Sequence, residues 1–187
     1  MARQRSFDRD KALESAVQEF WRHGYEATSV ASLTQAMGIR PPSLYAAFGD
    51  KRALFQEAVL RYRETHGAFS TRALAEETTG REAIRRLLME TAAEYTDPAH
   101  PPGCLIISGA VNCGPESAEV EKWLRGFREA AKAALEARID GPDAPALATF
   151  YASVIQGMST QARDGATREE LERVAELAML AYPASER

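Results

Sequence analysis

Apolar side chains recur at helical spacing along nearly the whole chain. Leu13, Ala16, Val17, Phe20 and Trp21 share one face of a helix predicted over about residues 8–23. Gly24 supplies its stop. Thr28 or Ser29 can cap a short second helix that turns Val30, Leu33 and Met37 inward. Gly38 marks a turn that needs a positive φ. Pro41 and Pro42 suit the first turn of a third helix, which carries Ser43, Leu44, Tyr45 and Phe48. Asp50 can cap a fourth, with Leu54, Phe55, Ala58, Val59 and Tyr62 as its apolar positions.

Beyond about residue 66 the amphipathic segments lengthen. One covers about 81–95, with Ile84, Leu87, Leu88 and Ala92 as its stripe. Residues 97–103, Asp-Pro-Ala-His-Pro-Pro-Gly, form a strong breaker. An apolar run over 104–111 follows and ends near Gly114 and Pro115. A polar-faced helix is predicted over about 116–139, then a turn over 140–143. Two closing helices, about 145–163 and 167–181, carry Leu147, Phe150, Tyr151, Val154, Ile155 and Met158, then Leu171, Val174, Ala175 and Ala178. No segment alternates apolar and polar residues for long, and β-branched residues are sparse. The fold class is therefore all-α. The spacing divides the chain into three short helices over 1–50, a connecting helix over 51–66 and a longer helical domain over 67–187.

Composition narrows the classes. Hydrophobic residues are 45% and charged residues 27%, as in an ordinary globular protein. No apolar run approaches the roughly 20 residues of a membrane span. The first residues, Met-Ala-Arg-Gln-Arg-Ser, are polar and lead into no apolar stretch, so no signal peptide is expected. Two cysteines are too few for a disulfide framework. The expected location is cytoplasmic, with no membrane partner. Net charge is −4, but residues 1–65 hold 10 basic and 8 acidic side chains and the remainder holds 13 and 19. The sign changes along the chain, so partners are judged segment by segment.

The two short helices around Gly38 have helix-turn-helix dimensions. The second would expose Arg40, Ser43, Ala46 and Ala47 while Leu44 and Phe48 hold it down. Short side chains with hydrogen-bonding ends are what a major groove about 12 Å wide admits. Spacing alone fits a helical hairpin inside an ordinary bundle equally well.

The stretch from Gly24 to Leu54 resembles the signature of the TetR family of transcription regulators. Gly24, Tyr25, Thr28, Val30, Leu33, Gly38, Ile39, Leu44, Tyr45, Phe48, Lys51 and Leu54 carry the resemblance. It implies an N-terminal DNA reader and a C-terminal ligand-binding and dimerisation domain. Function would then be repression of a palindromic operator, relieved by a small-molecule inducer. By the same resemblance, Thr28 would cap the second helix and touch a phosphate. Arg40, Pro41, Pro42 and Ser43 would face base edges, and Tyr45 and Lys51 would contact phosphates. Ala47 stands where many members carry His or Tyr. The last two helices would pair across a two-fold axis into a homodimer, and double-stranded operator DNA would be the macromolecular partner.

A ligand pocket is expected among the helices of the second domain. Tyr95, Trp123, Phe127, Phe150, Tyr151 and Met158 are the large side chains available to line it, against a plain core role for each. They favour an apolar or aromatic ligand over a highly charged one. Cys104 follows His-Pro-Pro-Gly and can begin a helix, where a thiol pKa falls. It is a candidate ligand contact or electrophile sensor, or simply a small buried residue. No metal site is expected, since His100, Cys104 and Cys113 lack a fourth ligand at suitable spacing. No cofactor is expected either. An enzyme is disfavoured because the three histidines are scattered in sequence and no nucleophile–base–orienter set is visible. A helical bundle without DNA binding remains the other alternative.

Overall fold

The computed structural model describes residues 7–111 and 113–183. Residues 1–6, on which the expectation about a signal peptide rests, lie outside it. Every regular element among the described residues is helical. Asp8 accepts from the backbone N–H groups of Asp10 and Lys11 and so starts α1, Arg9–Ala27. Ala12, Leu13, Ala16, Val17, Phe20 and Trp21 form its buried face. Gly24, at φ 73° and ψ 174°, breaks the helix where the sequence predicts a stop, and a last helical turn resumes beyond it.

The next three elements follow their caps. Ser29 and Ser32 form a reciprocal capping box at the start of α2, Val30–Met37. Gly38 closes α2 in the left-handed conformation, at φ 66° and ψ 29°, with its N–H bonded to the Thr34 and Gln35 carbonyls. Arg40 then leads into α3, Pro41–Phe48. Asp50 accepts from Ala53 N at 2.8 Å and caps α4, Lys51–Glu64. Helix α4 packs along α1. Phe20 meets Phe55 edge-on at 4.9 Å, and Trp21 meets Tyr62 edge-on at 4.7 Å.

The second half holds α5 (Ala68–Glu76), α6 (Gly80–Tyr95), α7 (Leu105–Ser108), α8 (Ala118–Glu136), α9 (Ala144–Arg163) and α10 (Arg168–Ala178). Helix α5 is not predicted by the sequence pattern. Only Phe69 and Ala73 are buried along it, too few to mark a stripe. The apolar run expected over 104–111 shrinks to the single turn α7. A Cβ at Gly109 would lie 2.5 Å from the Leu105 carbonyl, so the chain closes tightly there. Buried side chains from α1 to α10 form one continuous cluster. No helix among the described residues is long and apolar enough to cross a membrane.

The domains meet at more than the connecting helix. Tyr25 N donates to the Gly109 carbonyl at 2.6 Å, joining the bend of α1 to the end of α7. Arg163, at the end of α9, donates to the Trp21 and Arg22 carbonyls at 3.1 Å each.

Candidate nucleic-acid interface and sensor cavity

Helix α3 is fixed from behind and open in front. Leu44 and Phe48 are buried against the helices below. The Arg9 guanidinium donates to the Ala47 carbonyl at 3.3 Å, pairs with Glu57 at 2.6 Å, and lies 4.3 Å above the Phe48 ring. One arginine thus ties α1, α3 and α4 together. Helix periodicity gives no hint of this brace, because Arg9 reads as an ordinary polar first-turn residue.

The outward face carries Arg40, Pro41, Pro42, Tyr45 and Ala46, all exposed, with Ser43 and Ala47 half-buried. Tyr45 is 52% exposed although aromatic, and it sits mid-helix beside two buried apolar residues. Lys51 lies next to this face, in the first turn of α4. Its Nζ rests 4.3 Å over the Tyr25 ring and 3.5 Å from the Glu26 carbonyl. Burial there lowers its pKa. Arg52, exposed beside it, adds a second cation that the sequence reading overlooked.

Thr28 corrects an expectation. Its side chain is buried and its hydroxyl donates to the Gly24 carbonyl at 2.6 Å. The cap of α2 is Ser29, with Ser32. Thr28 instead braces the bend at Gly24.

In the second domain a cavity of about 540 Å³ opens among α4, α5, α6, α7, α8 and α9. Tyr95, Cys104 and Phe127 line it, as the sequence suggests. Trp123, Phe150, Tyr151 and Met158 do not. Trp123 is half-buried against Phe127 and Phe55, at 4.9 and 6.5 Å. Phe150 faces outward, whereas Tyr151 and Met158 are fully packed core. The walls come mainly from Phe69, Leu74, Leu87, Ile106, Ile107 and Ile155. Two polar groups are notable. The Thr91 hydroxyl lines the cavity, is buried and has no hydrogen-bond partner. The Tyr62 and Tyr95 hydroxyls meet the Cys104 thiol, and burial first, then that neighbour, raises both phenol pKa values well above the ordinary value. Both tyrosines therefore stay neutral donors. Arg63, Arg128, Lys132 and Arg138 also line it, and no carboxylate does.

Below the cavity the structure gathers what the sequence leaves scattered. His66 Nδ1 and His100 Nε2 both lie 3.2 Å from Glu94 Oε1, and the two rings are 4.8 Å apart. His100 stacks on Trp21 at 4.5 Å. Burial alone would lower the His100 pKa, but the Glu94 carboxylate and the Pro101 carbonyl outweigh it, and the net shift is upward.

Comparisons with known proteins agree on one grouping. Residues 12–58 match the profile described as bacterial regulatory proteins, tetR family. The HTH-type transcriptional repressor ComR of Escherichia coli (strain K12) is 34% identical over 192 residues, covering 97% of this chain and 91% of that one. The HTH-type transcriptional repressor BdcR of the same strain is 30% identical, covering 90% and 86%. A cysteine-substituted variant of the TetR family transcriptional regulator CifR, solved in complex with 26-base-pair double-strand operator DNA, superposes with a TM-score of 0.93. It is 42% identical, with 97% of this chain and all of that one covered.

Proposed function

The chain belongs to the TetR family of bacterial regulatory proteins, and from that membership we propose that it is a cytoplasmic, homodimeric repressor released from its operator by a small molecule. Its relatives are named as transcriptional repressors rather than enzymes, and a solved relative holds double-stranded operator DNA. A bundle without DNA binding has no support beside them. The observation that carries the reading is the presentation of α3. Its back is locked by Leu44, Phe48 and Arg9, and its front offers Arg40, Ser43 and Tyr45 to a groove. Lys51 would leave the Tyr25 ring for a phosphate, where the first-turn N–H groups of α4 add to the attraction.

Two such helices reach adjacent half-sites about 34–36 Å apart only when two chains associate. Surface on α9, α10 and the turn that follows α10 supports the dimer. Phe150, Val174, Leu177 and Leu180 are exposed apolar side chains, Leu180 by 81%. Leu171, Ala175 and Ala178 face inward, so only part of the expected stripe is available to a partner.

The cavity refines the ligand class. Its apolar walls suit an apolar or aromatic body, as the sequence suggests. Four cations line it without a salt bridge among the described residues; Arg128 and Arg138 donate to the Ile106 and Glu77 carbonyls, and with no carboxylate in the lining their charge favours an acidic end on the ligand. We read the inducer as an apolar molecule with a carboxylate or similar anionic end. The thiol-sensor alternative has less behind it. Helix α7 is a single turn, and phenols rather than cations flank Cys104.

Ligand that separates α7 from α8 would move Gly109 and, through its bond to Tyr25, the bend of α1. Release requires the ligand to prefer the released form, and operator must then weaken ligand binding by the same factor. A gel shift against DNA upstream of the chain's own gene tests the reader directly. Loss of any retarded band at low salt would sink the repressor reading.

A further inference from the structure

Three groups from separate segments, His66, Glu94 and His100, converge on a single carboxylate oxygen. His100 Nδ1 lies 3.0 Å from the Pro101 carbonyl, which can only accept, so that nitrogen carries the proton. Nε2 faces Glu94 Oε1 at 3.2 Å, as a donor when the ring is charged and as a free lone pair when it is neutral. The side chain is only 4% exposed. His66 Nδ1 approaches the same carboxylate oxygen from the other side, also at 3.2 Å. Three ligand atoms from His66, Glu94 and His100 lie within 4.8 Å of one another.

With both facing nitrogens unprotonated, their lone pairs and the carboxylate converge on one point, where a cation can take the place of the shared protons. Zinc-to-nitrogen and zinc-to-oxygen bonds of about 2.0–2.2 Å place tetrahedral ligands about 3.3–3.5 Å apart. The two separations through Glu94 Oε1 are close to that edge. Two imidazoles and a carboxylate are borderline donors of the kind late first-row divalent ions take, whereas magnesium or calcium would ask for more oxygen. His100 also has an orienting partner on its far nitrogen, the Pro101 carbonyl at 3.0 Å.

We propose that His66, Glu94 and His100 form a binding site for a zinc-type divalent ion, with water as the fourth ligand. His66 follows the end of α4, Glu94 is on α6, and His100 is in the segment between α6 and α7. An ion held by all three ties the connecting helix to the sensor beneath Trp21. It therefore sets the stiffness of the joint between the domains. The site stands or falls without reference to DNA binding.

The experiment uses the full chain, stripped of metal with a chelator and dialysed. Calorimetric titration with zinc(II) is expected to give saturable binding of one ion per chain. Cobalt(II) as an optical probe is expected to give visible ligand-field bands without a thiolate charge-transfer band. His66→Gln, Glu94→Gln and His100→Gln should each lower zinc affinity by at least the ten-fold typical of a lost supporting partner. His23→Gln, on the exposed end of α1, should change nothing. Far-ultraviolet circular dichroism confirms which variants remain folded, and Glu94→Gln retains shape if a histidine variant does not. Non-saturable zinc uptake, a thiolate band, or full affinity in a folded Glu94→Gln chain would overturn the site.

Discussion

The Tyr25 backbone N–H donates to the Gly109 carbonyl across 2.6 Å, and the two residues belong to different domains. Gly24 makes the approach possible. Its φ of 73° turns the chain toward α7, and a Cβ there would stand 3.3 Å from the Gly109 oxygen. The same glycine accepts the Thr28 hydroxyl, so one bend organises the end of α1, the start of α2 and the contact with the sensor.

Gly24→Ala should therefore cost more than a surface glycine replacement. A backbone at φ 73° and ψ 174° is nearly confined to glycine and costs about 1–3 kcal/mol for a residue with a Cβ. For a chain of this size that corresponds to a fall in Tm of roughly 2–12 °C. Thermal denaturation followed by circular dichroism measures it. An unchanged Tm would show that the bend relaxes freely.

Tyr45→Phe and Lys51→Ala test the docking of α3. Losing a hydrogen bond to a charged phosphate costs about 1.5 kcal/mol, roughly ten-fold in affinity. Neither residue fills the core, so folding should persist. Removing Lys51 should also reduce the steepness of the salt dependence by about one contact per subunit. Fluorescence anisotropy with operator DNA across a salt series reads both effects. Equal affinities for both variants and the unmodified chain would rule out this orientation.

The association surface is tested by Val174→Asp and Leu177→Asp. Both side chains are exposed in the single chain, so the charge disturbs little within it. At a two-fold interface the charge is met by its own copy, and both are desolvated. Sedimentation should shift from dimer to monomer, with operator affinity falling in parallel. A dimer that survives both substitutions would place the interface elsewhere.

Thr91→Val separates the cavity from the core. The Thr91 hydroxyl is buried without a partner, and valine keeps its shape. Removing an unsatisfied buried polar group returns about 1 kcal/mol, so the ligand-free protein should melt higher by roughly 2–4 °C. Affinity for an inducer that bonds this hydroxyl should fall. A lower Tm would mean that the hydroxyl is already satisfied by water.

How much of this was legible in the sequence depends on whether the signal is local. Asp50 and Gly38 act on their own helix ends, and they can be read directly. The buried faces of α1 and α4 follow from 3.6-residue periodicity for the same reason. Periodicity places Phe127, Tyr151 and Met158 on apolar stripes but does not say which stripe borders empty space. Tyr151 and Met158 meet neighbours; Phe127 meets the cavity. Thr28 and Ser29 are adjacent and chemically alike, so only the bend at Gly24 decides which one caps. His66, Glu94 and His100 lie on separate segments, and their meeting depends on how the end of α4, the end of α6 and the 97–103 segment come together around Trp21. Arg9 and Arg163 act through long side chains whose targets are remote in sequence.

The packing of α4 on α1 also governs how the protein can be divided. A fragment ending at Gly49 would lack Leu54, Phe55, Ala58 and Val59, all fully buried and all contributed by α4 to the reader's own core. Such a fragment would expose Phe20 and aggregate rather than bind DNA. A hybrid regulator that borrows this reader for another sensor must take the chain through Tyr62. It must also supply, from the foreign sensor, an acceptor for the Tyr25 N–H and a cation for the carbonyls of Trp21 and Arg22. The separable unit of DNA recognition is thus four helices with three unfilled backbone groups, and exchange among family members is limited by who can fill them.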